Sequence, residues 1–223
     1  TARGSLSRVD YHARYLSFLQ QHFPPEHLRG GQVALNGLNG TAATMAELIA
    51  KDFELPVTWF RKAPGPMPKQ GADPANPRLA EEMRGFMAGG NFSLGVAWDG
   101  DCDRCVCFDG SGELIPTYYL IGLFVDHFLS QKPGGAIVFD TKLCWNTLDM
   151  INRGGGKAVP AETGHAFMKQ KMHQHGAVYG GELSSHHYFG DFFGCDSGMF
   201  AWLTVLKLLD EKGEPIQELI RER

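Results

Sequence analysis

At 223 residues the chain has room for one large or two modest domains, each able to bury its own core. Hydrophobic residues at 43% and charged residues at 21% fit a folded globular protein and exclude an extended disordered one. A formal net charge of -4 excludes the broad basic field that general nucleic-acid binding uses, and no apolar run reaches the ~20 residues of a membrane-spanning helix. Thr1 to Asp10 lacks the apolar centre of a signal peptide, so a cytoplasmic protein is expected, with its five cysteines as thiols and the sequons at Asn39 and Asn91 as chance matches.

Val9 to Phe23 places Tyr11, Tyr15, Leu16, Phe18, Leu19 and Phe23 at helical spacing, and Pro24-Pro25 ends the helix. Gln32 to Leu35 reads as a strand emptying into the glycine turn NGLNGT, after which Thr41 to Lys51 is helical. Leu55 to Phe60 is a second strand, 61–76 a Pro- and Gly-rich loop long enough to suspect a use, and Pro77 to Met87 a helix. The buried-strand run Leu94 to Trp98 delivers Asp99 at its carboxyl end, and Cys105 to Ile115 has hairpin form around DGSG. A second unit follows: helix at Thr117 to Leu129, strand at Ala136 to Phe139, helix at Cys144 to Arg153, strand at Ala158 to Pro160, helix at His165 to His173 and strand at Ala177 to Tyr179. A last apolar helix, capped by Ser197, runs to Leu209. Alternating strands and helices predict two consecutive α/β domains, 1–109 and 110–223, each a mixed, largely parallel sheet flanked by helices. Direct residue matching finds no internal repeat.

The conspicuous polar groups all follow strands, where open α/β sheets bind ligands. In WDGDCDRCVC, Asp99, Asp101 and Asp103 put three carboxylates within five residues, and a divalent cation relieves their mutual repulsion. Hard oxygen ligands suit Mg²⁺, and Gly100 permits a tight curl. An EF-hand would need glycine and a twelfth-position glutamate where Arg104 and Gly110 stand; a solvated Asp/Gly turn is the plain alternative. Cys102-x-x-Cys105 has no second ligand pair for zinc and leads into a strand rather than the helix a redox motif opens, so these cysteines read as small buried side chains. In GELSSHHYF, Glu182 can accept hydrogen bonds from vicinal sugar hydroxyls, with Ser184 and His186 able to reach the same side; a hydrogen-bonded surface loop is the alternative. Lys142 is either a phosphate contact or a solvated helix start, and His165, after Thr163-Gly164, either a general base or a structural donor.

DGDCDR resembles the metal-binding loop of the α-D-phosphohexomutases, phosphomannomutase/phosphoglucomutase branch, and GELSSHHYF resembles their sugar-binding loop of the form G-E-M-S-x-H. NGLNG, the TGH segment and Asp196 to Met199 extend the similarity over the whole chain, which corresponds to the family's second and third domains of four. The resemblance implies Mg²⁺ on Asp99, Asp101 and Asp103, with Arg104 beside the phosphoryl group. It implies hexose contacts from Glu182, Ser184 and His186, with Lys142, Thr163, Gly164 and His165 lining the cleft and Arg104, His165 and Lys142 as catalytic groups. The implied reaction interconverts hexose 1- and 6-phosphates of mannose or glucose through a phosphoserine and a bisphosphate, with flanking domains of a longer chain as partners. Glu162 departs from the family's common lysine before T-G-H, and nothing here matches its T-A-S-H-N-P phosphoserine loop, so a fragment inactive by itself is expected. Two rivals remain at this stage: a non-catalytic metal- and sugar-phosphate-binding module, and a phosphatase with Asp99 as nucleophile and Asp101 as acid.

Overall fold

The computed structural model describes residues 4–28, 31–142 and 144–221, and along them two sheets follow one plan. After α1 (His12–His22), β1 (Val33–Asn36) lies between β2 (Val57–Phe60) and β3 (Leu94–Trp98), both parallel to it, and β4 (Cys105–Phe108) closes the edge antiparallel to β3. In the second sheet β5 (Ala136–Asp140) lies between β6 (Lys157–Ala161) and β7 (Tyr179–Gly181), both parallel to it, and β8 (His187–Phe189) is antiparallel to β7. A two-residue β9 (Cys195–Asp196) extends that edge. Crossovers through α2 (Ala42–Asp52) and α3 (Pro77–Met87) in the first unit match those through α5 (Trp145–Arg153) and α6 (His165–His175) in the second. The fold is thus α/β with mixed, largely parallel sheets, and its two units share a topology that residue matching misses. A buried strand constrains only the apolar character of its residues, so the plan recurs without recurring identities.

Each sheet carries one crossover helix on its outer face. Met83 and Met87 of α3 pack on Ala34, Ala97, Val106 and Phe108, while Met168 and Met172 of α6 pack on Val138, Val159, Ala161 and Tyr188. The opposite faces share one core with α4 (Thr117–Gln131) and α7 (Gly198–Lys212), in which α7 touches β4 and α4 touches β7. The helix that follows each sheet therefore packs against the other sheet. At the centre Trp98 and Trp202, both fully buried, meet edge to face at 5.4 Å, and Trp98 Nε1 donates to Gly198 O at 3.0 Å. Burying side chains of this size contributes about 1.5–3 kcal/mol each.

Several local expectations shift. The first helix begins at His12 rather than Val9, because Val9 and Tyr11 are exposed and Asp10 Oδ1 accepts from His12 N at 2.9 Å. The DGSG turn closes through Asp109 Oδ1, which accepts from Ser111 N and Glu113 N, but beyond it only Leu114 bridges Phe108. The strand expected at Ala177 to Tyr179 lies at Tyr179–Gly181, and HHYF, read as loop, supplies β8. Ser197 caps α7 by accepting from Phe200 N at 3.2 Å, as expected, and the short helix α8 (Ile216–Arg221) ends the described chain. Among the described residues no helix is long and apolar enough to cross a membrane.

Candidate active site where two equivalent loops meet

The acidic loop joins β3 to β4 and the GELSSHH loop joins β7 to β8, so the two stand at the same place in their units. Their local geometry matches as well. A carboxylate follows the third strand directly, Asp99 in one and Glu182 in the other, and each is buried with 1% exposure. Three residues on, each chain curls through a left-handed residue, Cys102 at φ 68° and Ser185 at φ 72°. The curl expected of Gly100 is thus made by Cys102, and it is Gly40 that allows the close approach beneath the loop. A Cβ on Gly40 would stand 2.5 Å from Gly100 O, which accepts from Thr41 N at 3.0 Å and from Thr41 Oγ1 at 3.2 Å. NGLNGT is therefore the bed on which the acidic loop rests.

The two loops are stitched together across the units. Arg104 and His186 form an antiparallel bridge, Cys105 N donates to Ser185 O at 3.1 Å, and Gly198 N donates to Cys102 O at 3.3 Å. Ser185 Oγ lies 2.5 Å from Thr117 Oγ1 at the start of α4. The stitching brings Asp103 Oδ1 within 3.3 Å of His186 Nε2 and Asp103 Oδ2 within 3.7 Å of His165 Nε2.

Asp99, Asp101 and Asp103 offer oxygens within 4.8 Å of one another, a spacing and a donor set that fit a hard divalent cation. Asp99 is also gripped by Arg104, whose Nε donates to Oδ2 at 2.6 Å and whose backbone N donates to Oδ1 at 3.2 Å. Burial pushes the Asp99 carboxyl above its usual range, opposed by those bonds from Arg104. Asp101 is exposed and Asp103 half-buried. Among the described residues no cysteine joins a group of metal-ligand type; Cys105 and Cys107 are buried and all five are free thiols. The Cys105 thiol is pushed well up by its hydrogen bond to Cys107 and by burial.

Glu182 is held from two sides: Oε1 accepts from Gly164 N at 2.7 Å and Oε2 from Tyr188 Oη at 2.6 Å. Its carboxylate thereby ties the TGH turn to β8, a structural duty the sequence did not disclose. Ser184 is exposed, with Oγ 2.7 Å from His186 Nδ1. Gly164 takes φ 125°, which turns the chain into α6 and aims His165 at His186, with 3.1 Å between their Nε2 atoms. Thr163 is exposed beside this turn, and so is Lys142 after β5. Sequence reasoning assigned no role to Asp140, Tyr188, Lys169 or Asp196. Asp140 sits buried at the end of β5, accepts from Leu183 N at 3.4 Å, and has its carboxyl pushed up by burial. A carboxylate at the carboxyl end of an apolar strand, the signal that singled out Asp99, would have found it. Asp196 Oδ1 pairs with Lys169 Nζ at 2.9 Å, and Oδ2 lies 3.0 Å from His165 Nδ1.

Comparison with known proteins supplies the family. Residues 13–112 match phosphoglucomutase/phosphomannomutase, alpha/beta/alpha domain II, and residues 116–223 match domain III of the same family. The chain belongs to the phosphohexomutase family. It carries the middle domains, and it is similar to a phosphomannomutase of Escherichia coli strain K12, 36% identical over 229 residues, which cover 100% of this chain and 50% of that protein. A crystal structure of a phosphoglucomutase/phosphomannomutase family protein from Burkholderia thailandensis superposes with a TM-score of 0.88 at 26% identity, over 98% of this chain and 48% of that one. A more distant Aspergillus fumigatus N-acetylphosphoglucosamine mutase, solved with GlcNAc-6P and magnesium, shares the fold with a TM-score of 0.68 at 13% identity, over 94% of this chain and 53% of that one. The phosphohexomutase chain described here spans about half the length of the curated relatives it matches.

Proposed function

We propose that this chain supplies the metal-binding and sugar-binding loops of a mutase that moves a phosphoryl group between the C1 and C6 oxygens of mannose or glucose phosphates. The observation that carries this reading is the stitching of the two loops, which sets Asp103 3.3 Å from His186 and so joins a carboxylate cluster to a polyol-type polar loop. Mg²⁺, held by Asp99, Asp101 and Asp103, would neutralise charge on the transferring phosphoryl group. The protein's own groups do the rest. Arg104, anchored by Asp99, carries a fixed positive charge at the mouth of the acidic loop. Ser184 and His186 present hydrogen-bonding groups to sugar hydroxyls, and Glu182 backs them by fixing the Gly164 turn and Tyr188. His165, with its side chain 42% exposed, is placed to exchange a proton with a sugar hydroxyl, and Lys142 and Thr163 line the approach.

The Escherichia coli relative is named a phosphomannomutase, which supports the reaction class, and the magnesium complex of the Aspergillus N-acetylphosphoglucosamine mutase supports the choice of cation. As a phosphatase nucleophile Asp99 would have to leave Arg104, which engages both its oxygens, whereas as a cation ligand it keeps those bonds and uses the remaining lone pairs. In this reading the phosphoserine and the grip on the distal phosphate come from flanking domains of the longer protein. The cytoplasm, where hexose phosphates and Mg²⁺ are held, is the compartment that suits it. The test is a coupled dehydrogenase assay of hexose 1-phosphate conversion with Mg²⁺ and a hexose bisphosphate primer. The longer protein should turn over and the chain alone should not; steady turnover by the chain alone, proportional to its concentration, would overturn the assignment.

A further inference from the structure

The pair His165 and His186 poses a problem of protons. His165 Nδ1 lies 3.0 Å from Asp196 Oδ2, an oxygen shielded from solvent that makes no hydrogen bond among the described residues. A carboxylate oxygen offers only lone pairs, so the proton of His165 belongs on Nδ1. His186 Nδ1 lies 2.7 Å from Ser184 Oγ and 3.4 Å from Glu182 Oε2, and that carboxylate favours a proton on Nδ1 here too. Both rings then turn bare Nε2 lone pairs toward one another at 3.1 Å, with the Asp103 carboxylate at 3.3 Å and 3.7 Å. With the protons so placed, three electron-rich groups converge with no donor between them, where the 3.1 Å approach of the rings would otherwise be an N–H···N hydrogen bond. The His165–His186 and His186–Asp103 Oδ1 separations, 3.1 Å and 3.3 Å, match the ~3.3 Å ligand-to-ligand separation of a tetrahedral ion with bonds of about 2.0–2.1 Å, while the 3.7 Å from His165 runs to the other Asp103 oxygen.

We infer that His165, His186 and Asp103 form a second metal site, distinct from the acidic triad and selective for a divalent transition metal of the zinc class. Imidazole nitrogen suits such an ion and does not suit Mg²⁺. The outward oxygens, Asp196 Oδ2 near His165 and Ser184 Oγ near His186, stand where a supporting shell would, in which a ligating ring turns its other N–H toward an oxygen that fixes its tautomer. Lys169 holds Asp196 in place from behind. The side chains of Asp103 and His165 are 29% and 42% exposed, which leaves an entry path and room for a water in the fourth position. Asp103 serves both sites, so an ion here draws on the same carboxylate as an ion in the acidic loop.

Co²⁺ alone, titrated into the 223-residue chain, reads the coordination directly, since four-coordinate Co²⁺ absorbs strongly in the visible and six-coordinate Co²⁺ weakly. The expected result is a saturable intense spectrum that Zn²⁺ bleaches. Asp101→Asn should keep it, His165→Ala and His186→Ala should lose it, and Asp196→Asn should weaken binding roughly 10–100-fold as a supporting partner. A weak six-coordinate spectrum in the wild-type chain would overturn the inference whatever the variants do. So would a spectrum lost in Asp101→Asn yet kept in both histidine variants, which would put the ion in the acidic loop and a proton between the rings. These readouts need no turnover, so their failure leaves the mutase assignment standing, and failure of the mutase assay leaves them unaffected.

Discussion

Asp103 and His186 occupy equivalent places in the two units, each four residues past the carboxylate that follows the third strand, and they face each other at 3.3 Å. The site is therefore a meeting of like with like: one loop specialised in carboxylates, its counterpart in hydroxyl and imidazole groups. What fixes the meeting is backbone, through the Arg104 to His186 bridge and the bond from Cys105 N to Ser185 O. Side-chain changes at the tips should alter chemistry, whereas changes at the glycines beneath should displace a whole loop.

Gly40→Ala tests that distinction. The added Cβ would stand 2.5 Å from Gly100 O and 2.8 Å from Gly100 Cα, a backbone clash that no rotamer relieves. Overpacking of this kind costs about 1–3 kcal/mol, and the acidic loop must shift to accommodate it. Urea unfolding should show the loss, and Mg²⁺ calorimetry a weaker fit than wild type. Unchanged stability together with unchanged metal heat would mean that the NGLNGT turn does not support the acidic loop.

Asp101→Asn is the complementary case, a tip change. Asp101 is exposed and Asp99 and Asp103 keep their contacts, so the fold should be unaffected. Mg²⁺ should bind the wild-type chain weakly, since three carboxylates leave most of an octahedron to water, and the variant should bind it more weakly still. Equal titration heats for the two proteins would remove the acidic loop from the metal site.

Glu182→Gln should act on both fold and function. The carboxylate accepts from Gly164 N and from Tyr188 Oη inside the protein, and an amide nitrogen placed against either donor leaves one unsatisfied. Hydrogen bonds to a buried charge contribute ~1.5–3 kcal/mol, so Tm should fall by roughly 3–12 °C for a chain of this size. In the longer protein kcat/KM should fall about ten- to hundredfold with mannose and glucose phosphates alike. A loss confined to one sugar would place Glu182 on a discriminating hydroxyl instead; unchanged kinetics would take it out of the sugar loop altogether.

The alternation of strands and helices and the acid at the end of Leu94–Trp98 were legible because burial periodicity and local charge are properties of neighbouring residues. What stayed hidden was long-range. That Cys102 and Ser185 make matching left-handed curls follows from bridges across the units, and no preference of cysteine or serine announces a positive φ. The same holds for Asp196, whose partner His165 lies on another element, and for Glu182, which the sequence offered to a ligand and the fold employs on its own backbone.

Two buried histidines should make the chain acid-sensitive well above the carboxylate range. Burial lowers His127 to about 4, helped by Lys207 and Lys212, and burial lowers His187 to about 3, helped by His186. Unfolded, both titrate near 6.5. Between these values the unfolded chain binds protons that the folded chain refuses, so stability is complete above about pH 6.5 and is lost as pH falls toward 4, at up to ~1.4 kcal/mol per pH unit for each ring. From pH 7 to pH 5 each ring removes roughly 2 kcal/mol. Asp99 and Asp140, whose carboxyls are raised by burial, act with the opposite sign, but closer to the ordinary carboxylate range. His127 is the ring to change, because it lies on α4 away from the loops, with Nε2 3.1 Å from Gln131 Nε2 and Nδ1 3.7 Å from Glu211 Oε2. His127→Gln should retain about 2 kcal/mol more of its pH 7 stability at pH 5 than wild type does, measured by urea unfolding at both values. Parallel pH dependences in the two proteins would show that His127 takes up its proton in the folded state.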